Sequence, residues 1–111
     1  MPPRSYLGEM ELMVLLAVLR LGDEAYGAPI SKELMMIAKR DVSLGSIYAA
    51  LERLERKGFV SSSLGEPTPE RGGRAKTYFA VTRNGMRAMN RTRRALTGLW
   101  KGVPAFERGA Q

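Results

Sequence analysis

The chain contains no cysteine and no histidine. Disulfide bonds, thiolate or imidazole metal sites, Ser-His triads and cysteine nucleophiles are therefore excluded. Only carboxylate, lysine, tyrosine or serine chemistry remains, and no motif pairs an acid with a base. We therefore expect a protein that is not an enzyme and that has neither a metal nor a cofactor.

Long hydrophobic runs are also missing. The longest, Leu12 to Leu19, is far too short to span a bilayer. The first five residues lack the layout of a secretion signal. We therefore expect a cytoplasmic protein without a membrane partner, and 111 residues correspond to one domain with a modest core.

Acidic residues are scarce in the last third of the chain. Residues 71–111 contain 10 Lys or Arg and one Asp or Glu, a net charge of +9, whereas residues 1–70 carry a net charge of −2. This asymmetry favours a polyanionic partner, nucleic acid before membrane. The alternative is that the charge only provides a soluble basic surface.

Residues 43–60 organise the chain. Four apolar residues at helical spacing predict one buried face: Leu44, Ile47, Leu51 and Leu54. Ser43 is a suitable N-cap, and Gly58 is a helix stop. The opposite face suits the major groove of DNA, although a solvated amphipathic helix would have the same pattern. The residues expected to contact DNA from this helix are Ser43, Gly45, Ser46, Tyr48, Ala49, Arg53 and Arg56.

Two helices precede this one. Apolar residues on most sides of residues 9–21 predict a central first helix, and the second begins near Gly27–Pro29. The buried stripe of the second helix is predicted to contain Ile30, Leu34 and Ile37, with Met35 or Met36 and Ala38. Short helices joined by tight turns match a helix-turn-helix unit, while a generic three-helix bundle stays open as the alternative.

A hairpin is predicted after the third helix. Residues 59–64 and 77–82 have strand character, and the loop between them is rich in Pro and Gly and turns basic at its end. A hairpin with a long cationic tip in this position is the arrangement of a winged helix. The wing residues expected at a minor groove or its phosphates are Arg71, Gly73, Arg74 and Lys76.

A last helix is predicted from about Arg83 to Gly102, capped by Thr82. One face has heptad spacing and is predicted to be a dimer interface, made of Met86, Met89, Arg93, Leu96, Trp100 and Val103. Two-fold symmetry would then present two recognition helices to a palindromic site. The alternative is that this face packs back on the first helix of its own chain.

The predicted fold class is mainly α with a small β-hairpin: a winged helix-turn-helix plus a C-terminal dimerisation helix. Residues 1–82 form the predicted DNA-binding domain, residues 83–104 the dimerisation helix and residues 105–111 a flexible tail.

Three motifs occur together in the order expected for one known family. They are Tyr26-Gly27-x-x-Ile30, Val42-Ser43-x-Gly45-Ser46-Ile47-Tyr48-x-x-Leu51-x-Arg53-Leu54-Glu55-x-x-Gly58, and Arg71-Gly72-Gly73-Arg74-x-Lys76-x-Tyr78-Phe79-x-Val81-Thr82-x-x-Gly85. This combination resembles the PadR family of bacterial transcriptional regulators, in particular its small subgroup with a single short C-terminal helix. One departure is Ala28-Pro29, where the family usually has an aromatic and an acidic residue.

The resemblance implies a homodimeric winged-helix repressor that binds double-stranded operator DNA. Some members of the small subgroup bind flat aromatic ligands at the dimer interface, stacked on a tryptophan of the last helix. Trp100, the chain's only tryptophan, is the residue that corresponds to this role, with plain interface packing as its alternative. A protein-interaction module of winged-helix shape without operator binding is the alternative function, and a neutral or acidic wing would be its signature.

Overall fold

Five α-helices and one antiparallel hairpin make up the part of the chain that the structure, a computed structural model, describes: residues 6–65 and 76–108. In chain order they are α1 (Glu9–Leu21), α2 (Gly27–Ala38), α3 (Leu44–Arg56), β1 (Val60–Leu64), β2 (Thr77–Val81), α4 (Arg83–Trp100) and α5 (Pro104–Arg108). This architecture confirms the predicted fold class, while the role of α4 in dimerisation and the division into domains stay predictions.

Helix α1 lies at the centre of the core. It packs against α2, α3, β2 and α4, as its apolar character on most sides predicted. The largest fully buried side chains come from the first three helices: Val14, Leu15, Ile30, Ile47, Leu51 and Leu54. Among the described residues, no helix is both long enough and apolar enough to cross a bilayer.

The hairpin is joined to the helices through the connection that follows α1. Its strands pair from Val60 opposite Val81 to Leu64 opposite Thr77. The Phe79 N–H donates a hydrogen bond of 2.8 Å to the Ala25 carbonyl, and the Phe79 side chain is buried. The strand that leads out of the wing therefore lies beside the start of α2.

A close approach between α4 and the start of β1 sets the direction in which α4 leaves the sheet. The Thr82 hydroxyl donates to the Gly58 carbonyl at 2.6 Å and accepts from the Gly85 N–H at 3.0 Å. A Cβ atom at position 85 would lie 2.2 Å from the carbonyl oxygen of Phe59. Only glycine at position 85 allows α4 to pack this closely on the backbone.

An ion pair joins α1 to the end of α3. The Lys57 ammonium donates to the Glu11 carboxylate at 2.7 Å, and the Gly8 N–H donates to the same carboxylate at 3.3 Å. Burial raises the pKa of Glu11, but these hydrogen bonds and the nearby positive charge outweigh that effect and leave the pKa below its ordinary value of 4.5. The ionised form of Glu11 therefore stabilises the fold.

The predicted buried stripe of α2 is wrong in the last part of the helix. Ile30 and Leu34 are buried, but Ile37 is 59% exposed, Met36 is 60% exposed and Met35 is also exposed, as is Ala38. Leu44 is likewise exposed at the start of α3. Helical spacing shows which residues share a face, but burial also requires a neighbouring element along the whole of that face.

The first part of the predicted flexible tail is helical, whereas residues 109–111 lie outside the described residues, so the flexibility of residues 105–111 stays a prediction. Residues 104–108 form α5, and the Glu107 carboxylate accepts a hydrogen bond of 2.7 Å from the Gly102 N–H. The Phe106 ring lies edge-on to Trp100, with 5.7 Å between their centroids. A side-chain hydrogen bond and an aromatic contact thus connect α5 to the end of α4.

Replacing Gly85 with alanine is expected to destabilise the protein by about 1–3 kcal/mol, because the new methyl group overlaps a backbone carbonyl that has little room to move. Gly98→Ala is the matched control in the same helix, since a Cβ there meets nothing within 4 Å. We expect that control to be neutral or to stabilise by about 0.5 kcal/mol. Urea unfolding of both variants measures the difference, and equal stabilities would contradict the close approach at Gly85.

Glu11→Gln is expected to destabilise the protein by about 1–2 kcal/mol at neutral pH, because the charged hydrogen bond to Lys57 is lost. Since the folded-state pKa is lowered, the contribution of Glu11 is fully present above the unfolded value and is lost as the pH falls through the folded value. The difference from the wild type should therefore shrink below about pH 4.5. Urea unfolding between pH 7 and pH 3 provides the measurement.

Glu52→Gln is the control for this pH series, because Glu52 pairs with Arg56 at 3.9 Å on an exposed surface. An exposed pair of this kind contributes at most about 0.5 kcal/mol. A Glu11→Gln variant with the stability of Glu52→Gln at every pH would count against a stabilising ion pair at Glu11.

Candidate nucleic-acid interface

Helix α3 presents one apolar face to the core and one polar face to solvent. Ser43 caps it as predicted, since its hydroxyl accepts a hydrogen bond of 3.1 Å from the Ser46 N–H. The buried residues are Ile47, Ala50, Leu51 and Leu54. All seven residues predicted to contact DNA from this segment are exposed: Ser43, Gly45, Ser46, Tyr48, Ala49, Arg53 and Arg56. The start of this face, with small side chains around Tyr48, allows close approach of a duplex.

Tyr48 extends from α3 to the first residue of α2. A Cβ atom at Gly27 would lie 2.2 Å from the Tyr48 phenol oxygen, so a larger residue there would require the Tyr48 ring to move. Tyr48 nonetheless remains 45% exposed. The contact brings the predicted recognition helix and the Tyr26-Gly27 motif, which are distant in the sequence, into one surface.

The cations around α3 differ in how free they are to bind a phosphate. The Lys57 ammonium forms an ion pair with the largely buried Glu11 carboxylate. Arg56 lies 3.9 Å from Glu52 in an exposed pair that water screens. Arg53 is exposed in the last turns of α3. The two arginines are therefore available to a polyanion, whereas Lys57 contributes mainly to the fold.

The root of the wing carries an aromatic cluster that the sequence did not single out as a site. The Lys76 ammonium lies 4.7 Å from the centroid of the Tyr26 ring, and Tyr26 contacts the edge of Tyr78 at a centroid distance of 5.3 Å. Tyr26 and Tyr78 were recognised only as members of motifs, and their contact was not apparent from their separation along the chain. The wing residues Arg71, Gly73 and Arg74 lie outside the described residues, so their roles stay predictions.

A second candidate surface is an apolar groove of about 370 Å³ between α1 and α4. Its lining includes Leu12, Leu16 and Leu19 from α1, together with five of the six residues predicted for the dimer interface: Met86, Met89, Arg93, Leu96 and Trp100. Leu16 and Leu96 are each nearly half exposed. No residue of α1 was among those predicted for the dimer interface, and the sequence indicated α1 only as the alternative packing partner of this face within the same chain.

The six residues predicted for the dimer interface do not all have the same environment. Met89 is buried in the core of its own chain, while Met86, Leu96 and Trp100 are exposed. Val103, beyond α4, is half-buried. Arg93 is exposed, and its guanidinium lies 3.4 Å from the Asn90 side-chain oxygen. Packing within the same chain therefore buries Met89 but leaves most of the six predicted interface residues exposed.

Comparisons with known proteins relate this architecture to one family. The family model described as Transcriptional regulator PadR-like family matches residues 15–91. That range includes α2, α3 and the hairpin, and it ends within α4. A search of curated proteins finds no match.

Several solved structures have the same fold. A PadR family transcription regulator from Clostridium difficile superposes with a TM-score of 0.72 at 20% identity, covering 89% of this chain and 98% of that one. A transcriptional regulator from Clostridium thermocellum has a TM-score of 0.70 at 24% identity, covering 87% of this chain and 88% of the other. A PadR-like transcription factor from Bacteroides fragilis has a TM-score of 0.69 at 24% identity, with the same coverage.

Proposed function

The chain belongs to the PadR-like family of transcriptional regulators, and from this premise we propose that it is a homodimeric repressor that binds a palindromic operator in double-stranded DNA. Its mechanism is binding and involves no catalysis. The observation that carries the proposal is the exposed polar face of α3, which begins with a capped turn and lies beside a two-stranded wing.

The proposed contacts divide between the helix and the wing. Helix α3 enters the major groove, where Ser46 and Tyr48 contact bases or backbone near its start, and Arg53 and Arg56 contact flanking phosphates. The wing cations Arg71, Arg74 and Lys76 add affinity that depends on salt but little on sequence. Specificity therefore comes from α3, and much of the affinity comes from the wing.

The groove between α1 and α4 is the proposed dimer interface. Its lining is mainly apolar, and an exposed apolar surface of this kind marks an interaction site. A second copy related by a two-fold axis would bring the same residues together and cover both grooves. The two α3 helices would then face the two halves of a palindrome.

The proposed effector is a small, flat aromatic molecule that enters the dimer interface. Trp100 lines the groove and is more than half exposed, so its ring is available for stacking in the way the resemblance implies. A ligand that binds better to one arrangement of the two subunits would change the spacing of the α3 helices and release the operator.

DNA binding is tested by fluorescence anisotropy of the purified protein on a duplex from upstream of its own gene, over a salt series. A sequence-specific regulator is expected to prefer this duplex over a scrambled one by on the order of a thousandfold. Arg74→Ala should weaken binding to both duplexes. It should also reduce the slope of log affinity against log salt by about 1.8, the contribution of one phosphate contact from each of the two subunits. Lys101→Ala, which removes an exposed charge just after α4, is the matched control and should leave the slope unchanged.

The other possible outcomes of these anisotropy measurements contradict different parts of the proposal. Equal binding to both duplexes would contradict sequence-specific recognition of the duplex from upstream of the gene. An unchanged slope for Arg74→Ala would remove that residue from the contacts. No binding at moderate salt would contradict the proposal and favour the protein-interaction module.

The dimer is tested by sedimentation velocity of the wild type and of Leu96→Glu. The wild type should sediment as a dimer, and the variant as a monomer, because the substitution places a charge in the apolar groove. Met36→Glu introduces the same charge at a comparably exposed apolar residue of α2 and should remain dimeric. A monomeric wild type, or a dimeric Leu96→Glu variant with native circular dichroism, would contradict this interface.

A further inference from the structure

The contact between Lys76 and Tyr26 places a cation at the junction of the wing and the helices. The 4.7 Å separation of the ammonium from the ring centroid is within the range of a cation–π interaction. Tyr26 is half-buried and has its own neighbour in Tyr78, with their rings at an interplanar angle of 64°. The ring beneath Lys76 is thus fixed by packing and does not move freely in solvent.

The backbone explains why these three side chains meet. Lys76 and Tyr78 are two residues apart along the outgoing strand, so they share one face of it. The ladder extends to Lys76, whose carbonyl accepts a hydrogen bond of 2.7 Å from the Gly65 N–H. The bond from the Phe79 N–H to the Ala25 carbonyl then brings the next residue, Tyr26, alongside that face.

We propose that Tyr26 is a positioning residue for DNA binding: its ring orients the Lys76 ammonium at the root of the wing so that Lys76 binds a backbone phosphate. The proposal rests on the proposed function and adds a residue that contacts no DNA itself. An ammonium over a ring face keeps N–H donors for a phosphate, because the ring interacts with its charge. Since the ring also restricts a flexible side chain, less conformational entropy is lost when the phosphate binds.

The first test measures the contact in the free protein. In NMR spectra of the wild type, the ε-methylene protons of Lys76 are expected upfield of those of Lys32, an exposed lysine on α2, because they lie in the shielding zone of the Tyr26 ring. Tyr26→Leu should remove this shift, whereas Tyr26→Phe, which retains a ring, should keep it. Identical Lys76 shifts in the wild type and Tyr26→Leu would overturn the proposal.

The second test measures DNA affinity in a double-mutant cycle. Tyr26→Leu should weaken binding to the native and the scrambled duplex by about two- to fivefold, and Tyr26→Phe should bind like the wild type. Lys76→Ala should lower the salt slope by about 1.8, because one phosphate contact is lost from each subunit of the dimer. In the Lys76→Ala background, Tyr26→Leu should have no further effect, because the residue that it positions is gone.

The outcomes separate a positioning role from a structural one. If the losses of Tyr26→Leu and Lys76→Ala multiply in the double variant, Tyr26 acts independently of Lys76 and the proposal is wrong. Circular dichroism and thermal unfolding of each variant identify a loss caused by unfolding. In that case the wild-type comparison of Lys76 with Lys32 decides, because equal shifts of their ε-methylene protons would overturn the proposal. Failure of the wild type to bind any duplex would contradict the proposed function and the phosphate contact together, while the NMR contact would still be observed.

Discussion

The rest of the structure depends on the burial of α1, which carries apolar side chains around most of its circumference. Val14, Leu15 and Val18 are almost completely buried, and the burial of such side chains is the main favourable contribution to folding. Helices α2 and α3 and the hairpin pack on this side of α1. On the remaining side, Leu16 and Leu19 are incompletely covered by α4. One helix thus accounts both for the core and for the surface that we propose a second copy covers.

The candidate nucleic-acid interface is assembled by a small number of contacts between segments far apart in the chain. The Phe79–Ala25 hydrogen bond places the wing beside α2, and the Tyr48 phenol lies against Gly27. A third contact, between Gly85 and the Phe59 carbonyl, directs α4 away from the hairpin. The motif glycines at positions 27 and 85 therefore occur where a side chain or a backbone carbonyl occupies the place of a Cβ atom. Their role in function is to let the elements of the site approach one another.

Charge alone does not identify the residues of the candidate interface. Lys57 directly follows Arg56 in the chain, but its ammonium forms an ion pair with Glu11. Lys76, in contrast, lies over an aromatic ring that leaves donors available. The availability of a cation depends on what its ammonium or guanidinium contacts, and this is a tertiary property.

The elements and their order follow from local features of the amino-acid sequence, because capping residues, helical spacing and strand propensity act over a few residues. Ser43 and Thr82 cap the helices predicted for them, and α1 has the predicted bounds, Glu9–Leu21. The family could also be recognised from local motifs such as the one that contains Tyr48. Tertiary packing determined how far each apolar stripe is covered, since Ile37 and Leu44 continue a helical pattern but lie outside the core. It likewise decided that Tyr26 meets Lys76, because such contacts depend on how strands and helices pack across fifty residues of intervening chain.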